Sequence, residues 1–181
     1  TDWSDSPVYV LTAGNLGNFK MTVEAKNDAG ETAEYDNDGV VVKTPCPLMF
    51  LAPRAAEGVV ATFPYATRTT AATNIADLLP YVANGTEIIA LKGRHALTEA
   101  TVFNGATKFH GEGAPEETLF YRANNEYFRC FAMNVAGGEF FNVAVSNAFQ
   151  SGSTGNALQI SDGVVSNCLF ANCQESSTGS A

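Results

Sequence analysis

The sequence predicts an all-β protein, and three observations predict it. Its 181 residues include 16 glycines with frequent Asn, Thr and Ser, a composition suited to short strands joined by tight turns, and no long charged amphipathic helix is visible. Apolar and polar residues alternate with period two, as where Phe19, Met21, Val23 and Ala25 interleave with Lys20, Thr22, Glu24 and Lys26. Two stretches, GGEFFNVAVSNA and DGVVSNCLFANC, repeat one pattern. Gly138 meets Gly163, Asn142 meets Asn167, Val143 meets Cys168, Val145 meets Phe170 and Asn147 meets Asn172, each pair 25 apart. Carried backwards in that register, Met133 meets Leu158 and Val135 meets Ile160, so the match covers about fifteen positions. Self-similarity at a fixed period of about 20 to 50 residues marks a repeat architecture.

The totals exclude several classes of function. With 10 Lys+Arg against 19 Asp+Glu the net charge is -9, so a nucleic-acid backbone or an anionic membrane surface is repelled. No run approaches the roughly 18 apolar residues of a membrane span; the longest, around Leu48 to Ala52, is far shorter. The opening TDWSDSPVYV lacks the basic start and apolar core of a signal peptide. Cys46, Cys130, Cys168 and Cys173 show no C-x-x-C spacing. Cys168 and Cys173 face opposite sides of a regular strand unless a bend intervenes. Buried small side chains are the expectation for all four, with a disulfide as the alternative.

In chain order, residues 1–44 contain three strand-like runs, PVYVL, GNFKMTVEAKN and GVVVKT, with NDAGE as a turn. YDNDG, with Asp36, Asn37, Asp38 and Gly39, reads as a plain turn between strands; it could offer oxygens to calcium but lacks the other ligands of a twelve-residue loop. Residues 45–58 carry Pro45, Pro47 and Pro53 and read as a connector that cannot be a central strand. Next, Asn74 caps a helix whose apolar residues Ile75, Leu78, Leu79 and Val82 fall at i, i+3, i+4 and i+7. Gly85 ends it, and Pro80 keeps it short or bent. The strands TEIIALKG, TVFNG, ATKFHGEG and TLFYRA lead to the two matched stretches.

These residues carry two resemblances. The rhythm of residues 1–44, of the type Y/F-x-V-x-V/A-x-N-x-x-G, resembles the last strands of an immunoglobulin-like or fibronectin-type sandwich; with three of about seven strands the domain is partial, or the ribbon packs on its neighbour. TNIADLLPYVANGTEIIALKGRHALTEATVFNGATKFHGEG resembles the opening of the right-handed parallel β-helix, or pectin-lyase-like, family. Gly85, Glu87, Ile89, Leu91, Gly93, His95 and Leu97 follow a pattern of the type G-D-x-I-x-L-x-x-G-x-Y-x-L, with Glu87, Ile89 and Leu91 one position later than in it, and Gly111, Glu112 and Gly113 follow its G-E-G. Glu87 replaces the usual Asp and His95 the usual Tyr. The resemblance covers residues 59–181 and is nearest to bacterial surface proteins such as autotransporter passenger domains. It implies an all-β fold: the first turns of a parallel β-helix closed by an N-terminal capping helix, preceded by a short antiparallel Ig-like segment.

In such a fold like positions stack about 4.8 Å apart. Val143 over Cys168 and Val145 over Phe170 then form interior columns. Asn147 over Asn172, and Asn142 over Asn167, form amide ladders at the bends, and Gly138 and Gly163 permit a bend that a side chain would obstruct. A net hydrogen bond is worth about 1 kcal/mol, whereas an unpaired buried amide costs about 1–3 kcal/mol, so both members of a ladder are needed.

No catalytic constellation is predicted. G-x-S-x-G, phosphate-loop and H-E-x-x-H patterns are absent, as are the acidic and basic signatures of the family's polysaccharide hydrolases and lyases. His95 and His110 read as structural. Glu112, Glu116 and Glu117 read as solvated turn residues, and Tyr121, Tyr127, Phe128 and Phe131 as packing aromatics that could alternatively stack on sugar rings. No metal or cofactor is expected. The resemblance implies a secreted or outer-membrane-associated protein with a structural or adhesive display role. Its partners would be a polysaccharide or a host-surface protein, with end-to-end association of the coil as a further mode. The alternative is the N-terminal portion of a polysaccharide lyase or hydrolase whose catalytic turns lie elsewhere.

Overall fold

The computed structural model describes residues 17–26, 32–42, 46–54, 56–150 and 155–175; for the first two stretches and residue 175 it describes backbone alone. The chain divides into two compact units, Thr1–Thr44 and Pro45–Ala181.

In the first unit β1 (Gly17–Lys26) pairs antiparallel with β2 (Thr32–Val42). YDNDG therefore lies inside a strand and is not the turn expected of it, and GVVVKT does not start a separate strand, because β2 runs on through Val42. Phe19 pairs with Val40 and Lys20 with Asp38, so Gly39 is the extra residue of a bulge. A bulge disrupts the ladder locally, and glycine accommodates the backbone it requires. The expected strand PVYVL and the turn NDAGE fall outside the described residues.

The second unit is built of parallel sheets. Its strands are β3 (Leu48–Leu51), β4 (Glu87–Ala90), β5 (Gly93–Leu97), β6 (Thr101–Phe103), β7 (Lys108–Gly111), β8 (Thr118–Arg122), β9 (Phe131–Met133) and β10 (Gly138–Phe141). They continue with β11 (Ala144–Ser146), β12 (Phe149–Gln150), β13 (Leu158–Ile160), β14 (Gly163–Ser166), β15 (Leu169–Ala171) and β16 (Gln174–Glu175). Three sheets run β14-β10-β7-β4-β3, β15-β11-β8-β5 and β13-β9-β6, with β12 beside β16. The chain visits the sheets in rotation: β4, β5 and β6 lie in three different sheets, and β7, β8 and β9 return to the same three in the same order. Gly138 pairs with Gly163, Val145 with Phe170 and Phe149 with Gln174, all 25 apart.

Three local readings change. The proline-bearing connector contributes a strand: Leu48–Leu51 pairs parallel with β4 at the edge of its sheet. Pro47 and Pro53 flank this run without interrupting it, and an edge strand tolerates the missing donors. The expected capping helix is two consecutive 3₁₀ turns, Ile75–Asp77 and Leu79–Tyr81. Asn74 does cap the first, its Oδ1 accepting from the Ala76 N–H at 3.1 Å. Pro80 has no N–H to give and its ring obstructs the carbonyl four residues back, so an α-helical ladder cannot run through. The apolar face survives: Ile75 and Leu78 are buried, and Leu79 and Val82 pack against the core.

The third change is in register. Leu158 pairs with Phe131 and Ile160 with Met133, a separation of 27 and not 25, while Val135 lies outside the strands in the bend before β10. That bend, residues 134–137, is two residues longer than its counterpart at 161–162. Because two is even, the same side chains still point inward.

The interior is aromatic. Phe103, Phe109, Phe120, Phe131 and Phe140 are all fully buried, and the Phe109 ring lies 5.4 Å from each of Phe103, Phe120, Phe131 and Phe140. Met49, Ile88, Phe109 and Phe140 follow one another along one column. At the β14 and β15 end the interior columns finish in Val165 and Phe170, 40% and 46% exposed, beside the outward-facing Val164 and Leu169, 60% and 48% exposed.

Candidate functional site

The two asparagine pairs sit at matched bends. Asn142, Asn147, Asn167 and Asn172 have φ of 57°, 57°, 46° and 53°, the left-handed conformation that asparagine adopts more readily than other residues with a Cβ. Asn167 Nδ2 donates to Asn142 Oδ1 at 2.8 Å. At the second bend the Asn147 N–H donates to the Ala171 carbonyl, the residue before Asn172, at 3.1 Å. Sequence reasoning assigned these residues to amide ladders and missed their backbone role. The signal was there: each Asn closes a strand and precedes a Val, Ala or Cys that packs inward. Of the matched glycines, a Cβ at Gly163 would strike the Gly138 carbonyl oxygen, whereas at Gly138 the nearest atom is the Met133 sulfur at 3.4 Å. Only Gly163 is required by space.

One of these bends lines a groove. Arg122, Asn147 and Asn172 occupy equivalent positions in successive turns, 25 residues apart, and line an open surface groove of about 370 Å³ with Asn124, Asn125 and Phe149. Arg122 Nε donates to the Asn147 carbonyl at 3.0 Å and Nη1 to the Glu126 carbonyl at 2.8 Å. Its guanidinium lies 5.5 Å over the Phe149 ring. Asn124 Nδ2 donates to the Thr98 carbonyl at 2.8 Å, so this wall is held from below. Tyr127, 65% exposed, packs its ring 5.0 Å from Phe149 at an interplanar angle of 41°. Of the four aromatics singled out in this region, Phe131 and Phe128 are core, Tyr121 is half-buried beneath the Arg94 guanidinium at 4.9 Å, and Tyr127 alone stands out from the surface.

The titratable residues are arranged as supports. Glu112 and Glu117 are not simply solvated: Glu112 pairs with Arg68 at 2.6 Å and Glu117 with Lys92 at 2.8 Å. The Arg68 and Lys92 side chains bonded to them hold both carboxyls below their usual range. His110 Nε2 meets Glu87 Oε1 at 2.8 Å and stacks on Phe141 at 4.5 Å. Cys46 and Cys130 are buried, Cys168 and Cys173 half-buried, and no disulfide links the last three. Burial raises these thiols, Cys130 to about 12, which keeps it protonated and unreactive at neutral pH. Among the described residues no group of three or more His, Cys, Asp or Glu is placed to hold a metal ion. No described helix is long and apolar enough to cross a membrane.

His95 stands in the interior column where the resemblance expects an aromatic. It is 4% exposed, stacks on Phe120 at 4.6 Å and places Nε2 2.8 Å from the Leu91 carbonyl oxygen. Burial lowers its pKa, because the imidazolium cannot be hydrated there. Below its ordinary pKa of about 6.5 the unfolded chain takes up a proton that the folded chain refuses. Stability is therefore complete above that pH and is lost as pH falls towards the folded-state value. Urea midpoints at pH 7, 6 and 5 should fall progressively, and His95→Phe should flatten the slope in this window; the depressed carboxyls of Glu112 and Glu117 act only at lower pH. An unchanged slope in the variant would show that other groups drive the acid response.

No family model, curated protein or solved structure matches this chain.

Proposed function

We propose that residues 45–181 are the opening turns of a right-handed parallel β-helix and that the chain is part of a secreted or surface-exposed bacterial protein, where it serves structural or adhesive display. One observation carries this reading: the chain returns to the same three parallel sheets in a constant rotation, so that each turn lays like residues over like. Crossovers between parallel strands of one sheet are right-handed in about 98% of cases, which supports the hand. Such a stack is stiff, because each inner turn is hydrogen-bonded on two sides and the interior is filled by five phenylalanines. We take the β1–β2 ribbon to be part of an Ig-like segment preceding the coil. The charge of -9 suits an exposed rod that does not bind polyanions.

An antibody raised against residues 45–175 should stain intact producing cells, and deleting the segment should reduce their attachment while leaving polysaccharide depolymerisation by those cells unchanged. Staining seen only after permeabilisation overturns the surface assignment. Loss of depolymerising activity on deletion supports instead the reading of a carbohydrate-active enzyme with catalytic turns elsewhere in the protein.

A further inference from the structure

We infer that the small cavity between the two 3₁₀ turns, Ile75–Asp77 and Leu79–Tyr81, and the bend joining β5 to β6 is the site of one internal water molecule, which ties those turns to the sheets through the Thr101 hydroxyl. The site is independent of the display role, because it concerns how the 3₁₀ segment is fastened and not what the outer surface meets.

The hydroxyl sets the requirement. Thr101 opens β6 and is 1% exposed, and its N–H is committed to the Cys130 carbonyl at 3.0 Å. Its Oγ1 is buried, and among the described residues no group partners it. A buried hydroxyl without a hydrogen bond is costly, whereas an internal water satisfies it at little loss. The chain keeps threonine here although valine has the same shape.

The cavity meets that requirement. It encloses about 10 Å³, at the lower edge of the roughly 10–15 Å³ that the centre of one water molecule occupies, and it excludes any larger ligand. Asn74, Ala76 and Leu79 line it on one side, Glu99, Ala100 and Thr101 on the other. A buried water makes about two to four hydrogen bonds. The peptide groups of Glu99 and Ala100, which lie outside the strands, supply partners beside the hydroxyl. From the 3₁₀ segment comes Asn74, whose Oδ1 accepts from the Ala76 N–H at 3.1 Å and whose Nδ2 still has hydrogens to give. One water at this point therefore bridges two elements that otherwise meet through apolar side chains such as Ile75 and Leu79.

Thr101→Val in the full chain tests the assignment, because it removes the hydroxyl and keeps the shape. If the hydroxyl is a bare buried group, valine raises the urea midpoint; if it holds a water, valine leaves that water short of a partner and lowers the midpoint. The expected result is a lower midpoint. Nuclear Overhauser contacts from a long-lived water to the amides of both Ala76 and Ala100 should be present in the wild type, persist in Thr101→Ser, which keeps the hydroxyl, and vanish in Thr101→Val. A midpoint equal to or above that of the wild type, or a wild type without those water contacts, would overturn the proposal.

Discussion

Replacing Phe109 with alanine should remove about 3–5 kcal/mol of unfolding free energy, the usual cost of deleting a buried phenylalanine. The position is chosen by geometry. Phe109 lies in the central strand of the five-stranded sheet, is fully buried, and its ring lies 5.4 Å from each of Phe103, Phe120, Phe131 and Phe140. Truncation opens a cavity that none of the five hydrogen-bonded strands around it can close by moving alone. With domain stabilities commonly about 5–15 kcal/mol, such a loss consumes much of the total. Urea unfolding followed by circular dichroism checks it, with the exposed Phe170→Ala as comparison. A loss below about 1 kcal/mol at Phe109 would mean that the interior is not packed around this ring.

Gly111→Ala should cost about 3 kcal/mol or more, for a different reason. A Cβ there would strike the Asn142 carbonyl oxygen and approach Thr118 Cβ to 2.9 Å and Val143 Cγ1 to 3.0 Å. The first obstacle is backbone of the next turn, which cannot swing aside as a flexible side chain does, so the two turns must separate and strain their shared ladder. At Gly138 the nearest atom to an added methyl is 3.4 Å away, and alanine there should cost less than about 1 kcal/mol. Equal losses at the two positions, measured by the same urea titration, would show that the turns are not stacked as closely as these contacts require.

The asparagines show how far the pattern alone reaches. Their spacing of 25 is visible in the letters, because a repeat stacks position upon position, and the pairing of Gly138 with Gly163 and Val145 with Phe170 follows it. The extension of that spacing back to Met133 and Leu158 does not follow, since a bend two residues longer absorbs the difference and bend length leaves no periodic trace. Leu48–Leu51 is apolar throughout and shows no period-two alternation, and it lies among prolines that read as a connector. Its place at a sheet edge makes those prolines harmless.

The candidate groove and the exposed Tyr127 were less legible. Tyr127 was visible as one aromatic in a cluster of four, but nothing local separates it from Phe128 and Phe131, which are core. Arg122 sits 25 residues before Asn147 and shares its bend without sharing its side chain, so no similarity of letters connects them.

By itself the sequence determined the β class, the repeat length, and the identity of the residues at the bends, because periodicity and turn chemistry act over a few neighbours. Only the tertiary structure decided which turn lies on which, which aromatics are buried, which carboxylates are paired, and where a groove opens. Those outcomes depend on contacts between residues 20 to 40 positions apart, whose geometry is set by the lengths of the intervening bends and not by any local preference.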